Sequence, residues 1–374
     1  MKIRAAVIRQ MGLPQPYAQS RPMSIEEVDL APPQQREVLV QVKAASLCHS
    51  DLSTVNADRP RQMPMVLGHE AAGVVVEVGP GVTDLAPGDH VVLVFAPSCG
   101  ECVACREGHP GRCEPGQKSN GAGTLLGGGI RLSQNGQTVY HHVGVSAFAD
   151  YCVVNRGSLV KIDNELPFDE AAMFGCAVLT GVGAALNTAQ VFPGARVAVV
   201  GLGGVGLNAM FGAQVAGASQ VVAIDIHDDK LELAKALGAT DVINAKDPEA
   251  IAKVKDLTAG GVDFGLEMAG SVQAMELAYR ITRRGGTTVT AGLPHPDARW
   301  PLQHVNLTAE ERTVKGSYVG SCVPPRDMPR YIDLYRKGKL PVNKLMSDHL
   351  ALEQINEGFD RLASGHTVRQ IIMM

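Results

Sequence analysis

The sequence predicts an α/β protein of two domains, one mostly β and one built on a doubly wound parallel sheet. Three observations carry this expectation. From residue 1 to about 160 the chain is a succession of short β-branched runs separated by turn clusters. From about residue 170 strands and helices alternate, as a parallel sheet covered on both faces requires. A chain of 374 residues is also too long for one ordinary core.

The opening "MKIRAAVIRQ" alternates like a first strand and lacks the long apolar core and cleavage site of a secretory signal. No apolar run approaches the roughly 18 residues of a membrane span. The expected setting is the cytoplasm, without a membrane partner, where clustered cysteines stay reduced and hold metals more often than they form disulfides. A net charge of −4 with no run of Lys and Arg offers no footprint for nucleic acid.

The runs "EVLVQVKAAS", "AAGVVVEVG", "DHVVLVF" and "DYCVV" predict the strands of the first domain, with "GPGVTDLAPGD" as a turn between them. In the second half the strands "ARVAVVG", "QVVAIDI", "TDVINA", "VDFGLEMAG", "TTVTAGL" and "TVKGSYVG" enclose helical stretches such as "GVGLNAMFGAQVAGA" and "DDKLELAKALGA". The tail carries two more helices and a closing strand, "VRQIIMM", that can rejoin the first domain.

"VAVVGLGGVGLNAM" places Gly201, Gly203 and Gly206 in G-x-G-x-x-G spacing between a predicted strand and a predicted helix. Asp225 ends the next strand, 19 residues beyond Gly206. Such glycines make the tight turn, admit a pyrophosphate to the backbone and let helix and strand pack closely. An acid at Asp225 accepts from ribose hydroxyls and repels a 2′-phosphate, which favours NAD over NADP. Gly204, Val205, Lys230 and Thr180 complete the expected coenzyme set, Lys230 being equally readable as an exposed helix lysine.

Cys99, Cys102, Cys105 and Cys113 crowd into one short stretch, "CGECVACREGHPGRC". Four thiolates suit tetrahedral Zn²⁺ in a closed structural site, and an iron–sulfur cluster is the competing occupant. Cys48 in "SLCHSD", His69 in "VLGHEAAG" and Cys176 in "MFGCAVLTG" are dispersed. Two sulfurs and one imidazole are the three protein ligands of an open, catalytic zinc site, but spacing alone does not bring them together. Taken singly, His69 reads equally as a structural histidine and Cys176 as a small core residue.

Together these residues resemble the zinc-dependent medium-chain alcohol dehydrogenases along nearly the whole chain: "GHEAAGVVVEVGPGV", the four-cysteine spacing, "GLGGVG" and "INEGFDRLASG" all match. The resemblance is closest to the long-chain, liver-type branch, because residues 114–147 keep an extended segment. It implies a GroES-like β domain at 1–177 and 321–374, interrupted by a Rossmann domain at 178–320. It implies two zinc ions, a catalytic one on Cys48, His69 and Cys176 and a structural one on the four clustered cysteines. By the same resemblance Ser50 passes on the alcohol proton, Asp51 orients His69, Glu70 lies behind the metal, and the enzyme oxidises an alcohol to an aldehyde or ketone with NAD. A homodimer through "TVTAGL" and "TVKGSYVG" is also implied.

Two positions depart from that family. Ser53 stands where the proton relay's outer histidine falls, and it does not titrate near pH 7. His49 replaces the first phosphate-binding arginine, which implies weaker coenzyme binding when it is neutral, while Arg369 matches the second phosphate contact. Phe95 and Phe148 match positions lining a substrate channel, which implies a primary aromatic or medium-chain alcohol, and each reads equally as a core residue. A glutathione-linked formaldehyde dehydrogenase is the alternative, yet Arg59 stands in "VNADRPRQMP" where acidic residues are wanted. A non-catalytic zinc-stabilised binding module has no need of the dispersed ligands or the glycine turn. Cys152 and Cys322 are expected in the core.

Overall fold

In the computed structural model, which describes residues 1–374, the chain forms two compact units. One comprises Met1–Cys176, Val323–Arg330 and Met346–Met374, the other Ala177–Cys322 and Tyr331–Leu345. Residues 331–345, expected with the β domain, count with the second unit. The boundary falls inside the helix Pro324–Arg336, and the following turn Val342–Leu345 packs on the helix Gly204–Val215.

The first unit is β-rich, as its sequence predicts. Lys2–Ile8, Met23–Leu30, Leu132–Gln134, Gln137–His141 and Met65–Val66 close into a small barrel. Beside it in the same unit, a seven-stranded sheet has Glu37–Ser46 paired with Ala71–Val78, Tyr151–Asn155 and Arg369–Met373. The closing strand thus rejoins the first domain. The core of this unit gathers Val40, Val42, Leu47, Leu67, Val91, Leu93, Phe148 and Phe359.

Phe148 takes the core role that was one of its two expected readings. It is fully buried, its ring lies 6.3 Å from that of Phe359, and it presses on Gly68. Gly68 sits at φ +91° with the space a Cβ would need, 2.5 Å from the Phe148 nitrogen, so only glycine carries the chain past it into His69.

In the second unit six strands lie parallel in the order 3-2-1-4-5-6 along the chain, from Asp241–Asn244 at one edge to Thr313–Gly316 at the other. Its first strand, Arg196–Val200, lies between Gln220–Asp225 and Val262–Glu267, and Val197 to Val200 are buried because helices cover both faces. The strand order reverses between the first and fourth strands, where open sheets of this kind bind ligands at their carboxyl ends. No single helix in the chain is long and apolar enough to cross a membrane. Cys152 and Cys322 are both buried, as expected.

Phe148→Ala should cost about 3–5 kcal/mol in unfolding free energy and leave alcohol selectivity unchanged. Urea titration and a comparison of alcohols check both halves.

Candidate active site and metal centres

Within the second unit the strand Arg196–Val200 runs into Gly201, which adopts φ +94°, and Gly203 caps the helix that begins at Gly204 and Val205. A Cβ on Gly206 would stand 1.8 Å from the Gly201 carbonyl oxygen, so the helix enters the turn only without a side chain there. Asp225 ends the neighbouring strand. Its Oδ2 accepts from the Leu202 amide at 2.6 Å and its Oδ1 from Ile226 and His227 at 2.8 and 3.0 Å. Three amides hold the carboxylate at the rim of a cavity of about 400 Å³, whose apolar walls include Ile224, Ile226, Ile251 and Leu277. Lys230 is only 8% exposed and is no solvent-facing lysine. Thr180 is buried too, and its hydroxyl has no hydrogen-bond partner.

Within the first unit Cys99, Cys102, Cys105 and Cys113 bring their sulfurs within 4.8 Å of one another, and none is oxidised. Backbone amides point at these sulfurs. Cys99 Sγ accepts from Glu101 and Cys102 at 3.4 and 3.3 Å, and Cys113 Sγ from Cys99 and Gly116 at 3.3 and 3.4 Å. Such donors favour the thiolates a soft cation binds. Hydrogen bonding to the Cys105 backbone brings Cys102 down to about 7, while burial pushes Cys105 up to about 12. These four sulfurs would hold a divalent ion as thiolates, with their protons released on binding.

The dispersed residues also meet. Cys48 stands at the start of the helix His49–Val55, His69 follows the Gly68 turn, and Cys176 follows the turn Met173–Gly175. Their ligand atoms lie within 4.8 Å of one another, all three side chains buried. His69 Nδ1 lies 3.0 Å from Asp51 Oδ2 as a buried ion-pair contact, and neither ring nitrogen makes a well-aligned hydrogen bond, Nε2 included. That arrangement places the ring proton on Nδ1 and leaves the Nε2 lone pair to a metal. The Cys176 hydrogen bond holds the Cys48 thiol well below its usual range, against burial. The same bond, with burial, pushes Cys176 well above it. A buried thiolate beside an orphaned imidazole nitrogen fits a cation, and two sulfurs with one nitrogen fit zinc.

Around this cluster the Phe95 ring meets His69 edge-on, 5.3 Å between centroids. Ser50 is half-buried on the helix that follows Cys48. Ser53 donates its hydroxyl to the His49 carbonyl at 2.8 Å, and His49 itself is exposed. Glu70 is fully buried and pairs with Arg369, whose Nη1 lies 3.0 Å from Glu70 Oε2 and also donates to the Leu47 carbonyl at 3.2 Å. Arg369, expected at a coenzyme phosphate, is therefore engaged within its own unit. Burial opposes its charge, but Glu70 and the cysteines hold the guanidinium above its ordinary value.

Sequence reasoning missed His142. Its Nδ1 lies 3.3 Å from Asp51 Oδ1, so one buried carboxylate faces two histidines. No short-range signal marks it, because 91 residues separate the pair along the chain. The adjacent His141 points elsewhere: it accepts from the Arg131 amide at 3.0 Å, and burial pushes it down to about 3.

Comparison with known proteins matches two family descriptions, an alcohol dehydrogenase GroES-like domain over residues 34–164 and a zinc-binding dehydrogenase over 204–337. The chain is 39% identical to alcohol dehydrogenase 1 of Cenchrus americanus, covering all of this chain and 98% of that one. It is 40% identical to the class-3 alcohol dehydrogenase of Drosophila melanogaster over 94% of each. Among solved structures, benzyl alcohol dehydrogenase from Acinetobacter calcoaceticus superimposes with a TM-score of 0.93 at 33% identity, covering all of this chain and 99% of the other. A zinc-binding-domain alcohol dehydrogenase protein from Burkholderia ambifaria gives 0.94 at 34%, with the same coverage.

Arg369→Met strips the buried Glu70 carboxylate of its guanidinium and should destabilise the chain by about 3–5 kcal/mol. The double variant with Glu70→Gln should recover part of that loss in urea unfolding, and a neutral single variant would contradict the assignment.

Proposed function

The chain belongs to the zinc-dependent medium-chain alcohol dehydrogenases, and from that premise we propose that it transfers hydride between a primary alcohol, aromatic or medium-chain, and NAD. The observation carrying this reading is the buried meeting of Cys48, His69 and Cys176, with the His69 Nε2 unpartnered. Likeness to benzyl alcohol dehydrogenase supports the aromatic substrate, and Asp225 beside an apolar cavity supports NAD. Cys48, His69 and Cys176 would hold a catalytic zinc ion, and Cys99, Cys102, Cys105 and Cys113 a structural one. When bound, zinc supplies the Lewis acidity that eases loss of the alcohol proton, and NAD supplies the hydride acceptor.

The alcohol gives up a hydride from carbon and a proton from oxygen. Ser50 is the hydroxyl that takes that proton. Ser53 cannot relay it further by titrating, and its hydroxyl is already committed to the His49 carbonyl, so the proton must leave through water or another base. Asp51 keeps the His69 ring proton on Nδ1. In the second unit the amides of the Gly201–Gly206 turn would hold the pyrophosphate and Asp225 the ribose hydroxyls. The same reading places the enzyme in the cytoplasm as a homodimer joined along the edge strand Thr313–Gly316, where Val314 is exposed.

Metal analysis together with benzyl alcohol turnover, followed at the nicotinamide absorbance, tests the proposal. The wild type should carry one zinc ion in each cysteine group and reduce NAD. Cys48→Ser should lose one of those ions and nearly all turnover. Asp225 and a 2′-phosphate about 4 Å apart repel by about 4 kcal/mol at an effective dielectric of about 20. NADP should therefore serve far more poorly than NAD, and Asp225→Asn should narrow that preference by at least about tenfold.

A further inference from the structure

Asp51 receives more than the single histidine its role requires. Its Oδ1 lies 3.2 Å from the Gly68 amide and 3.3 Å from His142 Nδ1, and its Oδ2 lies 3.0 Å from His69 Nδ1. His142 is 3% exposed, and its ring stands nearly perpendicular to that of His69 with centroids 5.8 Å apart.

The backbone under His142 is fixed independently of either ring. His142 donates its amide to Ser146 Oγ at 2.8 Å and accepts from Val145 at 2.9 Å, in a turn where Val143 and Ser146 take positive φ. Two further amides stitch this turn to the His69 loop: Ala147 donates to the Gly68 carbonyl at 2.9 Å and Phe148 to the Leu67 carbonyl at 3.0 Å. One rigid frame therefore carries both histidines and presents them to the same carboxylate.

We propose that His142 is a positioning residue for the metal ligand His69. By occupying Asp51 Oδ1 it stops the carboxylate from rotating and reserves Oδ2 for His69, whose other nitrogen then stays turned toward Cys48 and Cys176. A carboxylate has two rotatable bonds, and the Gly68 amide alone holds one of its oxygens from one side. Groups that orient a ligand from behind typically change metal affinity by about 10–100-fold. The inference rests on the zinc assignment to Cys48, His69 and Cys176 given above.

The test uses the full-length protein, Zn²⁺ titrated against a chromophoric chelator, and the absorption spectrum of the Co²⁺-substituted form. His142→Phe should weaken Zn²⁺ at the Cys48 group by about 10–100-fold, leave the four-cysteine lobe loaded and shift the Co²⁺ ligand-field bands. His142→Asn places an amide donor where Nδ1 stood and should recover most of the affinity and the wild-type spectrum. If the Phe variant disturbs the fold by circular dichroism, His142→Ala takes its place in the same comparison. Wild-type Zn²⁺ affinity in a folded Phe or Ala variant overturns the proposal, as does an Asn variant no better than Phe. Cys48→Ser separates the two levels. If it removes an ion while His142 variants keep theirs tightly, only the His142 role falls; if it removes none, the zinc assignment falls and the His142 role with it.

Discussion

A carboxylate sealed from solvent is the constraint on which the metal cluster depends. Asp51 is fully buried, and an ionised carboxylate without partners in such a place costs several kcal/mol. Burial alone would push its proton affinity up, but His69 and His142 bring it below the usual carboxylate range. The acid stays charged because the chain supplies an amide and two imidazoles at fixed positions. Each of those donors is in turn fixed by backbone that the charge did not build, notably the Gly68 turn and the 142–146 turn. The charge therefore sets the tautomer and direction of His69, and His69 completes the group with Cys48 and Cys176.

A second charge balance surrounds the first. Glu70 and Arg369 pair with both side chains buried, and Arg369 and His69 also favour the Cys48 thiolate. With no cation between Cys48 and Cys176, one thiol must keep its proton and donate to the other, and the opposed shifts of the two express that sharing. A divalent ion removes the conflict at once, since both sulfurs then serve as thiolates. The family's zinc thus fits the electrostatics of the site as well as its donor atoms. A buried ion pair is weak evidence of stability in itself, so the position of Arg369 is best understood as holding Glu70 charged behind the cysteines.

Much of this was legible in the sequence, and what was not shares a cause. The glycine turn, Asp225 and the four-cysteine lobe are short-range devices whose physics is complete within about 25 residues, so their spacing announces them. Cys48, His69 and Cys176 carry the right chemistry but no spacing of their own, and only their likeness to a family grouped them. His142 had neither spacing nor an assigned role, because its function comes from a carboxylate 91 residues away. Phe148 stayed open between two readings for a related reason: whether an aromatic lines a channel or fills a core is decided by the elements around it, and here Phe148 is fully buried in the core. The alternation of strands and helices gave the two architectures, but no local pattern could show that residues 331–345 go with the second unit, since the helix carrying the boundary is continuous.

The position of Arg369 also bears on how the proposed coenzyme's charge is met. Its Nη1 is shared between Glu70 and the Leu47 carbonyl, while its Nε has no hydrogen-bond partner. Lys230 is buried in the second unit. What the second unit itself offers an anion is the opening of the twelve-residue helix Gly204–Val215, where the first amides lack intrahelical partners and the space beside Gly203 is clear of other atoms. Binding through neutral amides and a helix end is directional and depends less on salt than binding through mobile cations. On this reading the backbone of that helix would meet the pyrophosphate, while Arg369 Nη1 holds the acid behind the metal.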